Sequence, residues 1–417
     1  MSAASAKVYL RETAGILTAF FSAQPFSIKA VLGKLPPEQR GNFREMVSGA
    51  FRQLLLLESI LKASCDRPLR ELEPFVKALL VLSVYRIYFL QDPDYTVVDE
   101  ANGLCAHDGQ KSFVNGVLRN VTRYRKPLEH FIYHGKDTDR HLSERFSVPR
   151  WIVEELRVSR GDYASILEGL NQPQKTFVRN GRYLRRAATV QDDLRQGAAV
   201  ISPGGFLSVL HLGVGSGHDV LDMGCAPGAK FFLLQELDPR SLTGCDISVK
   251  RLGTMYAEAE RLGLPRPHLI CGDGMSPPFA DESFDRLYLD VPCTASGTFT
   301  KHPEGKFLRT PQGLEELLVT QRALLARTFH LLRPGGVLCY ATCSVFDREN
   351  DGVVAWFCAQ ESRARVLRPS VGLEDVDASC RHLLADSLEI TPHGFFLNPA
   401  AHGLDGFYFS FIERQQP

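Results

Sequence analysis

Apolar residues over roughly the first 130 positions recur at intervals of three and four. The stretches AGILTAFFSAQ, FREMVSGAFRQLLLLESILKA, LEPFVKALLVLSVYRIYFL and SFVNGVLRNVTRYR each set an apolar stripe against a polar face, as amphipathic helices do. Helix-breaking residues fall between them, at Gly33, Pro36, Pro37, Pro68 and Pro93, and β-branched alternation is scarce. The spacing predicts an all-helical bundle over residues 1–135, with the leucine stripes as its core.

The pattern then changes twice. Residues 136–200 hold helical stretches at VPRWIVEELR and YASILEGL, followed by the short, basic, partly extended run NQPQKTFVRNGRYLRR, and read as a connector or small accessory subdomain. From 201 to 417 apolar strands alternate with helices: HDVLDMG, KFFLLQEL, SLTGCDI, VKRLGTMYAEAERLG, HLICGD, FDRLYLDVP, a long helix near GLEELLVTQRALLARTFHLL, and GGVLCYATCS. That alternation predicts an α/β domain on a doubly wound parallel sheet. No internal repeat or low-complexity tract interrupts it.

Composition adds little until the chain is divided. At 417 residues, 44% hydrophobic and 23% charged, it fits two or three globular domains. Equal numbers of basic and acidic residues, 48 each, argue against a polyanion partner at first sight. Residues 1–200, however, hold 29 basic against 22 acidic residues, and residues 201–417 hold 19 against 26, so the zero is a cancellation between unlike halves. The opening MSAASAKVYLRE meets charge before an apolar run of signal-peptide length, and the most apolar stretch is broken by Lys77 and Arg86. No secretory or membrane-spanning segment is expected. Ten scattered cysteines without a repeated Cys-x-x-Cys or a histidine pair predict neither a disulfide framework nor a metal site, and fit a reducing cytoplasm.

The candidate chemistry lies in the acidic half. VLDMGCAPGAK runs from a strand through a turn of small residues into a helix start, a geometry that lets backbone N–H groups approach a ligand. The earlier LGVGSG at 212–217 precedes the strand and reads as a surface turn. Asp222 closes the first strand, Asp246 follows 24 positions later, near the spacing at which such folds set a carboxylate on ribose hydroxyls, and Asp273 and Asp290 close the next two. One aspartate at a strand end is ordinarily a cap, but four in register line one crevice. No phosphate-binding Lys-Ser/Thr accompanies them. Carboxylates suit a ribose and an adenine amine, so S-adenosylmethionine fits better than a triphosphate. Cys293 and Cys343 follow tight polar turns on the same edge, where a thiolate near helix N-termini and Lys230 can act as a nucleophile. Cys339 is assigned to packing and His302 to shaping its loop. The clusters Arg119, Arg123, Arg125, Lys126 and Arg179, Arg182, Arg185, Arg186 read as solvated faces or, in an RNA binder, as phosphate contacts.

These residues resemble the Sun-type RNA (cytosine-C5) methyltransferases, marked by Pro-Cys after the fourth strand and Thr-Cys after the fifth. Asp290-Val-Pro-Cys293-Thr-Ala-Ser-Gly, Lys301-His302-Pro303-Glu304, Leu332-Arg-Pro-Gly-Gly336, Tyr340-Ala-Thr-Cys343-Ser and Glu349-Asn350 stand in family order, and the ending HGLDGFYFSFIER is similar to the family's terminal strand. In the helical half, Tyr95-Thr-Val-Val-Asp-Glu100 and Phe113-Val-Asn-Gly-Val-Leu-Arg119 resemble the antitermination-factor (NusB-type) RNA-binding domain. That domain precedes the catalytic part in the branch typified by bacterial 16S ribosomal RNA methyltransferase B.

The resemblance implies a Rossmann-like methyltransferase domain that binds S-adenosylmethionine and acts on RNA, 16S ribosomal RNA before other substrates, as a cytoplasmic monomer with no membrane partner and no metal. By family pattern the nucleophile is Cys343, Cys293 assists release, Asp290 hydrogen-bonds the base and Lys230 helps to hold base and cofactor. The cofactor rests on Gly224, Cys225, Ala226, Pro227, Gly228, Ala229 and Lys230, with Asp246 on the ribose, Asp273 on the adenine, and Asp290 beside it. The turn departs from the family's Cys-Ala-Ala-Pro-Gly-Gly-Lys-Thr, notably in Gly224 and Ala229, and the stretch from Asn180 to Asp222 is short. Those departures leave open an RNA-binding assembly factor whose catalysis has decayed, and within the same class a transfer-RNA cytosine-C5 methyltransferase is a rival that the helical domain argues against.

Overall fold

The computed structural model describes residues 3–127, 130–131, 138–173, 175–400 and 403–416. The expected boundary between residues 135 and 136, and His402 of the terminal motif, lie outside them. The chain divides into two compact units, one reaching Glu154 together with the short segment His302–Phe307, the other comprising Glu155–Lys301 and Leu308–Pro417.

The first unit is helical, with α1 (Ala3–Phe21), α2 (Ile28–Lys34), α3 (Pro37–Arg52), α4 (Leu54–Lys62), α5 (Pro74–Tyr85), α6 (Asp94–Asn102) and α7 (Asp108–Arg123). Proline at the first helical position starts α3 and α5, where a missing N–H costs nothing. The apolar run that starts at LEPFVKALL becomes α5, buried without interruption from Ala78 to Tyr85, so it is the central helix of the bundle. A side chain at Gly49 of α3 would meet the Tyr85 hydroxyl at 1.9 Å, so a glycine there is what lets the two helices approach. By contrast α7 buries only Val114, Val117, Leu118 and Val121, one stripe, and leaves Arg119 and Arg123 in solvent. Arg86, 5% exposed, is held by Asp92 at 2.7 Å and Glu100 at 2.6 Å, which satisfies a charge that would otherwise be costly inside a bundle.

The second unit contains two sheets. A small antiparallel one joins β1 (Phe177–Asn180), β2 (Tyr183–Arg186) and β3 (Ala199–Val200) in the order β2-β1-β3. The large one has β4 (Asp219–Met223), β5 (Ser241–Asp246), β6 (His268–Cys271), β7 (Phe284–Asp290), β8 (Leu332–Thr342), β9 (Ala364–Leu367), β10 (Leu388–Ile390), β11 (Phe395–Leu397) and β12 (Phe407–Arg414), in the order β10-β11-β12-β8-β7-β4-β5-β6, with β9 also on β12. Strands β6-β5-β4-β7-β8 are parallel, and β12, β11, β10 and β9 extend them antiparallel. The Rossmann-like methyltransferase class is therefore as expected, on a mixed sheet rather than a wholly parallel one. β12 pairs antiparallel with the edge of β8 opposite β7. Helices Ala229–Glu236, Val249–Leu262 and Pro311–Phe329 follow β4, β5 and β7, which brings the carboxyl ends of the five parallel strands to one edge. Among the described residues no helix is long and apolar enough to cross a membrane.

Candidate active site

The turn after β4 is built on two glycines. Gly224 has φ +84°, and a side chain there would meet the Asp290 carbonyl of β7 at 2.6 Å; its own N–H, with that of Cys225, donates to the Cys245 carbonyl of β5. Gly228 has φ +108° and admits the turn into the helix Ala229–Glu236, and a side chain there would strike Phe232. Ala229 opens that helix with no positive φ, so alanine is free of strain at the position where the family usually has glycine.

A cavity of about 410 Å³ opens at the carboxyl ends of the parallel strands, a volume in the range of nucleoside-sized ligands. Gly224, Ala226, Asp246, Asp273 and Asp290 line it, and so do Cys293 and Cys343. Cys225, Pro227, Gly228, Ala229 and Lys230 are not among its walls. Cys225 turns into an apolar cluster and contacts the Met255 sulfur at 3.9 Å, where burial pushes its thiol far up. Ile247, Met275 and Leu324 give the cavity apolar faces, and Arg251 stands at its rim. None of these four was singled out in the sequence. Arg251 is five positions past Asp246, and nothing in the pattern separates it from Lys250.

The carboxylates are held differently from one another. Asp246, 2% exposed, accepts from the Ser248 N–H at 2.8 Å and the Arg251 guanidinium at 2.7 Å on one oxygen, and from the Ala226 N–H at 3.3 Å on the other. Asp273 accepts from the Met275 N–H at 2.9 Å. Asp290 receives the Lys230 ammonium at 2.6 Å. Burial works against that ammonium, but the charge and hydrogen bond of Asp290, with Cys343 and Asp222 beyond, outweigh it and raise its proton affinity. Asp222 lies beneath the turn, 1% exposed, and among the described residues neither of its oxygens has a hydrogen-bond partner. Burial, against the attraction of Lys230, pushes its carboxyl up to about 8, so it stands neutral at pH 7. A cavity with carboxylates for hydroxyl and amine donors, apolar faces for a purine and a close backbone turn fits the adenosyl part of S-adenosylmethionine.

The two thiols face each other at 3.4 Å between sulfurs. The hydrogen bond to Cys343, then burial, lifts the Cys293 thiol well above its ordinary value. Behind them a polar cluster of Thr294, Ser296, Gln321, Ser344, Glu349 and Asn350 is buried. Glu349 and Asn350 carried only a family mark in the sequence; an acidic side chain enclosed this completely leaves no signal in a local pattern. Cys339 is buried in the core, as expected. The basic clusters divide. Arg119, Arg123, Lys126, Arg182 and Arg186 are exposed, but Arg179 is 1% exposed and paired with Glu236 at 2.8 Å, so it is a structural ion pair and neither a solvated face nor a phosphate contact. Arg185 likewise holds the buried Asp193 at 2.6 Å.

Comparison with known proteins bears on both units. Residues 209–413 match the family model for the 16S rRNA methyltransferase RsmB/F, and residues 10–123 match that of the NusB family. The ribosomal RNA small subunit methyltransferase B of Shewanella oneidensis is 28% identical over 414 residues, covering 88% of this chain and 89% of that protein. The probable ribosomal RNA small subunit methyltransferase B of Bacillus subtilis is 28% identical over 433 residues, covering 93% and 94%. Among solved structures, that of PH0851 has a TM-score of 0.69 at 19% identity and covers 91% of each chain, a likeness of fold.

Proposed function

We propose that the chain, with an RsmB/F-type catalytic domain preceded by a NusB domain, is an S-adenosylmethionine-dependent RNA methyltransferase of the Sun type that methylates C5 of a cytosine in 16S ribosomal RNA through a covalent Cys343 adduct. The observation that carries this reading is the pair of thiols 3.4 Å apart at the wall of a nucleoside-sized cavity.

When bound, the cofactor supplies an electrophilic sulfonium methyl. C5 of cytosine is a poor nucleophile, so the Cys343 thiolate first adds to C6: the sulfur–carbon bond forms and the C5–C6 π pair becomes available at C5. Cys293, whose thiol is lifted well above its ordinary value, lies 3.4 Å from the Cys343 sulfur, within hydrogen-bonding reach of it. Asp290 hydrogen-bonds N3 and the exocyclic amine, stabilising the ring as it gains a proton, and Lys230 on the other side fixes Asp290. After methylation the C5 proton and the proton gained by the ring pass to solvent, the C5–H pair re-forms the C5–C6 double bond, the sulfur–C6 bond breaks with its electrons returned to Cys343, and Cys293 assists that release. Of the turn, Gly224 and Ala226 would hold the cofactor, with Asp246 on its ribose hydroxyls and Asp273 on the adenine amine. The base must leave its stack to enter the cavity, which a structured RNA loop permits most readily.

In this reading residues 1–135 grip RNA, 136–200 connect, and 201–417 carry the chemistry. The basic excess of residues 1–200 supplies phosphate contacts, Arg119, Arg123 and Lys126 among them, and the chain acts as a monomer in the cytoplasm. The test combines the purified protein with labelled S-adenosylmethionine and a 16S rRNA fragment. Cys343→Ala is expected to abolish methyl transfer, and Cys293→Ala to accumulate a protein–RNA adduct that survives denaturant. Full activity of Cys343→Ala would sink the assignment of the nucleophile.

A further inference from the structure

Strand pairing does not by itself bring the two sulfurs together. Cys293 lies three residues beyond β7 and Cys343 one beyond β8, so each hangs on its own loop. The loops meet where the Gly297 N–H donates to the Cys343 carbonyl at 3.0 Å and the Ser296 and Ser344 hydroxyls lie 3.0 Å apart, and the residues directly after the two cysteines are tied together through the carboxylate of Glu349, whose side chain is completely buried. One of its oxygens accepts from the Thr294 N–H at 2.8 Å and the Gln321 amide at 2.9 Å; the other accepts from the Thr294 and Ser344 hydroxyls, both at 2.5 Å. Thr294 follows Cys293 directly and Ser344 follows Cys343. The bracket is itself fixed, because Gln321 also donates to the Pro292 carbonyl at 2.9 Å and the Tyr340 hydroxyl to the Glu349 carbonyl at 2.8 Å. Four donors converging on one buried carboxylate make a strong, directional tie.

We propose that Glu349 is a positioning residue that sets the separation of Cys293 and Cys343 through Thr294 and Ser344. It touches neither base nor cofactor, and its role in catalysis rests on the reading of Cys343 as nucleophile. Gly224, Asp246 and Asp273 have no hydrogen bond to it, so its removal loosens the thiols and leaves the cofactor side intact. Glutamine keeps one oxygen for the two N–H donors, and the Thr294 and Ser344 hydroxyls can rotate to accept from its amide.

Two readouts on the full-length protein test this. Under methylation conditions, Glu349→Ala should lower kcat by about 100-fold, the scale of a misplacement near 1 Å, while the Kd for S-adenosylhomocysteine and the KM for RNA stay within about twofold. Glu349→Gln should restore kcat to within about tenfold of wild type. The second readout needs no RNA: diamide takes two electrons and two protons from the thiols as a Cys293–Cys343 disulfide forms, and mass spectrometry follows the crosslink. Because that rate depends on sulfur separation, Glu349→Ala should form it about tenfold more slowly, and Glu349→Gln nearly as fast as wild type. Crosslinking of Glu349→Ala at the wild-type rate overturns the proposal. So does an equal loss of S-adenosylhomocysteine binding, which would mark a general structural role. If Glu349→Ala does not fold, Ser344→Ala removes one arm and leaves three donors on the carboxylate; it should slow both kcat and crosslinking about threefold, and unchanged rates would count against the tie. A wild type that transfers no methyl group but shows the crosslinking contrast overturns the functional reading and leaves the positioning role standing. Normal methylation without the contrast does the reverse.

Discussion

The cofactor side and the thiol side of the cavity are built by different means. On the cofactor side the carboxylates are held mainly from nearby in the chain, Asp246 by the Ser248 N–H and Arg251 and Asp273 by the Met275 N–H, while Gly224 rests on the neighbouring strand. On the thiol side local ties such as Ser344 to Glu349 are joined by distant ones, Cys293 to Cys343 across 50 positions and Thr294 to Glu349 across 55. The first arrangement is turn chemistry that any parallel α/β sheet can present at its edge. The second exists only when two loops and a helix have already folded against each other. Binding and bond-making should therefore separate under mutation, and the variants below are chosen to break that separation or to sharpen it.

The largest effect is expected at the sulfur. Cys343→Ala should lower the rate of methyl transfer by more than about 1,000-fold, since nucleophilic activation of C5 is lost altogether, while calorimetry with S-adenosylhomocysteine gives a wild-type Kd. A parallel loss of binding would show the two sides to be one unit. Next in size is Asp246→Asn, which deletes a charged acceptor from the cofactor side. A hydrogen bond to a charged group is worth about 1.5–3 kcal/mol, so the Kd should rise about 10- to 100-fold, with kcat at saturating cofactor changed by only a few-fold. A fall in kcat as large as the rise in Kd would mean that Asp246 also orders the thiols.

The same division explains what was legible in the sequence. Helical periodicity found α1, α3, α5 and α7 because each buries a continuous stripe or, in α5, every residue from Ala78 to Tyr85. Aspartates at strand ends were readable because Asp246, Asp273 and Asp290 each close an apolar run, and that locality survives in the chain order. The turn glycines were readable as a turn, but which residues face the ligand was not: Cys225 and Gly224 are neighbours, and backbone direction alone sends one into the core and the other to the cavity. Arg179 looked like part of a solvated basic run, and only the fold supplies Glu236 as its partner. Glu349 is the extreme case. Its partners come from β7's loop, β8's loop and the helix Pro311–Phe329, so its role could not be read from spacing. The antiparallel extension of the sheet was missed for a related reason, since β9, β10 and β11 are three or four residues long and leave too little alternation to detect.

Asp222 lies between the two sides and should reveal itself through pH. Its folded carboxyl titrates at about 8, above the ordinary 3.8, so the folded state holds a proton that the unfolded chain releases. Its contribution to stability is then fully present below about pH 4 and is lost as pH rises through 8. Asp222→Asn makes the neutral state permanent. The melting temperature of the variant relative to wild type should climb between pH 4 and pH 8.5, reaching about 3 °C at the upper end, with little difference at pH 4. A difference that does not change with pH would place the ionised form in the folded protein and give Asp222 a partner on one side of the cavity.

The smallest effect is the sharpest test of separation. Arg251 stands at the cavity rim with 53% of its side chain exposed, and donates to Asp246 at 2.7 Å. An exposed ion pair is worth well under 1 kcal/mol after screening, and Asp246 keeps the Ser248 and Ala226 N–H groups when the guanidinium is removed. Arg251→Ala should therefore weaken S-adenosylhomocysteine binding only about two- to fourfold at low salt, with the difference from wild type closing at about 0.5 M salt. The rate at saturating cofactor should not move, because nothing joins Arg251 to the Glu349 bracket. A loss matching that of Asp246→Asn would mean that the guanidinium itself touches the ligand. A slower rate at saturation would mean that the rim reaches the thiols after all, by a route that neither the local turns nor the Glu349 tie provides.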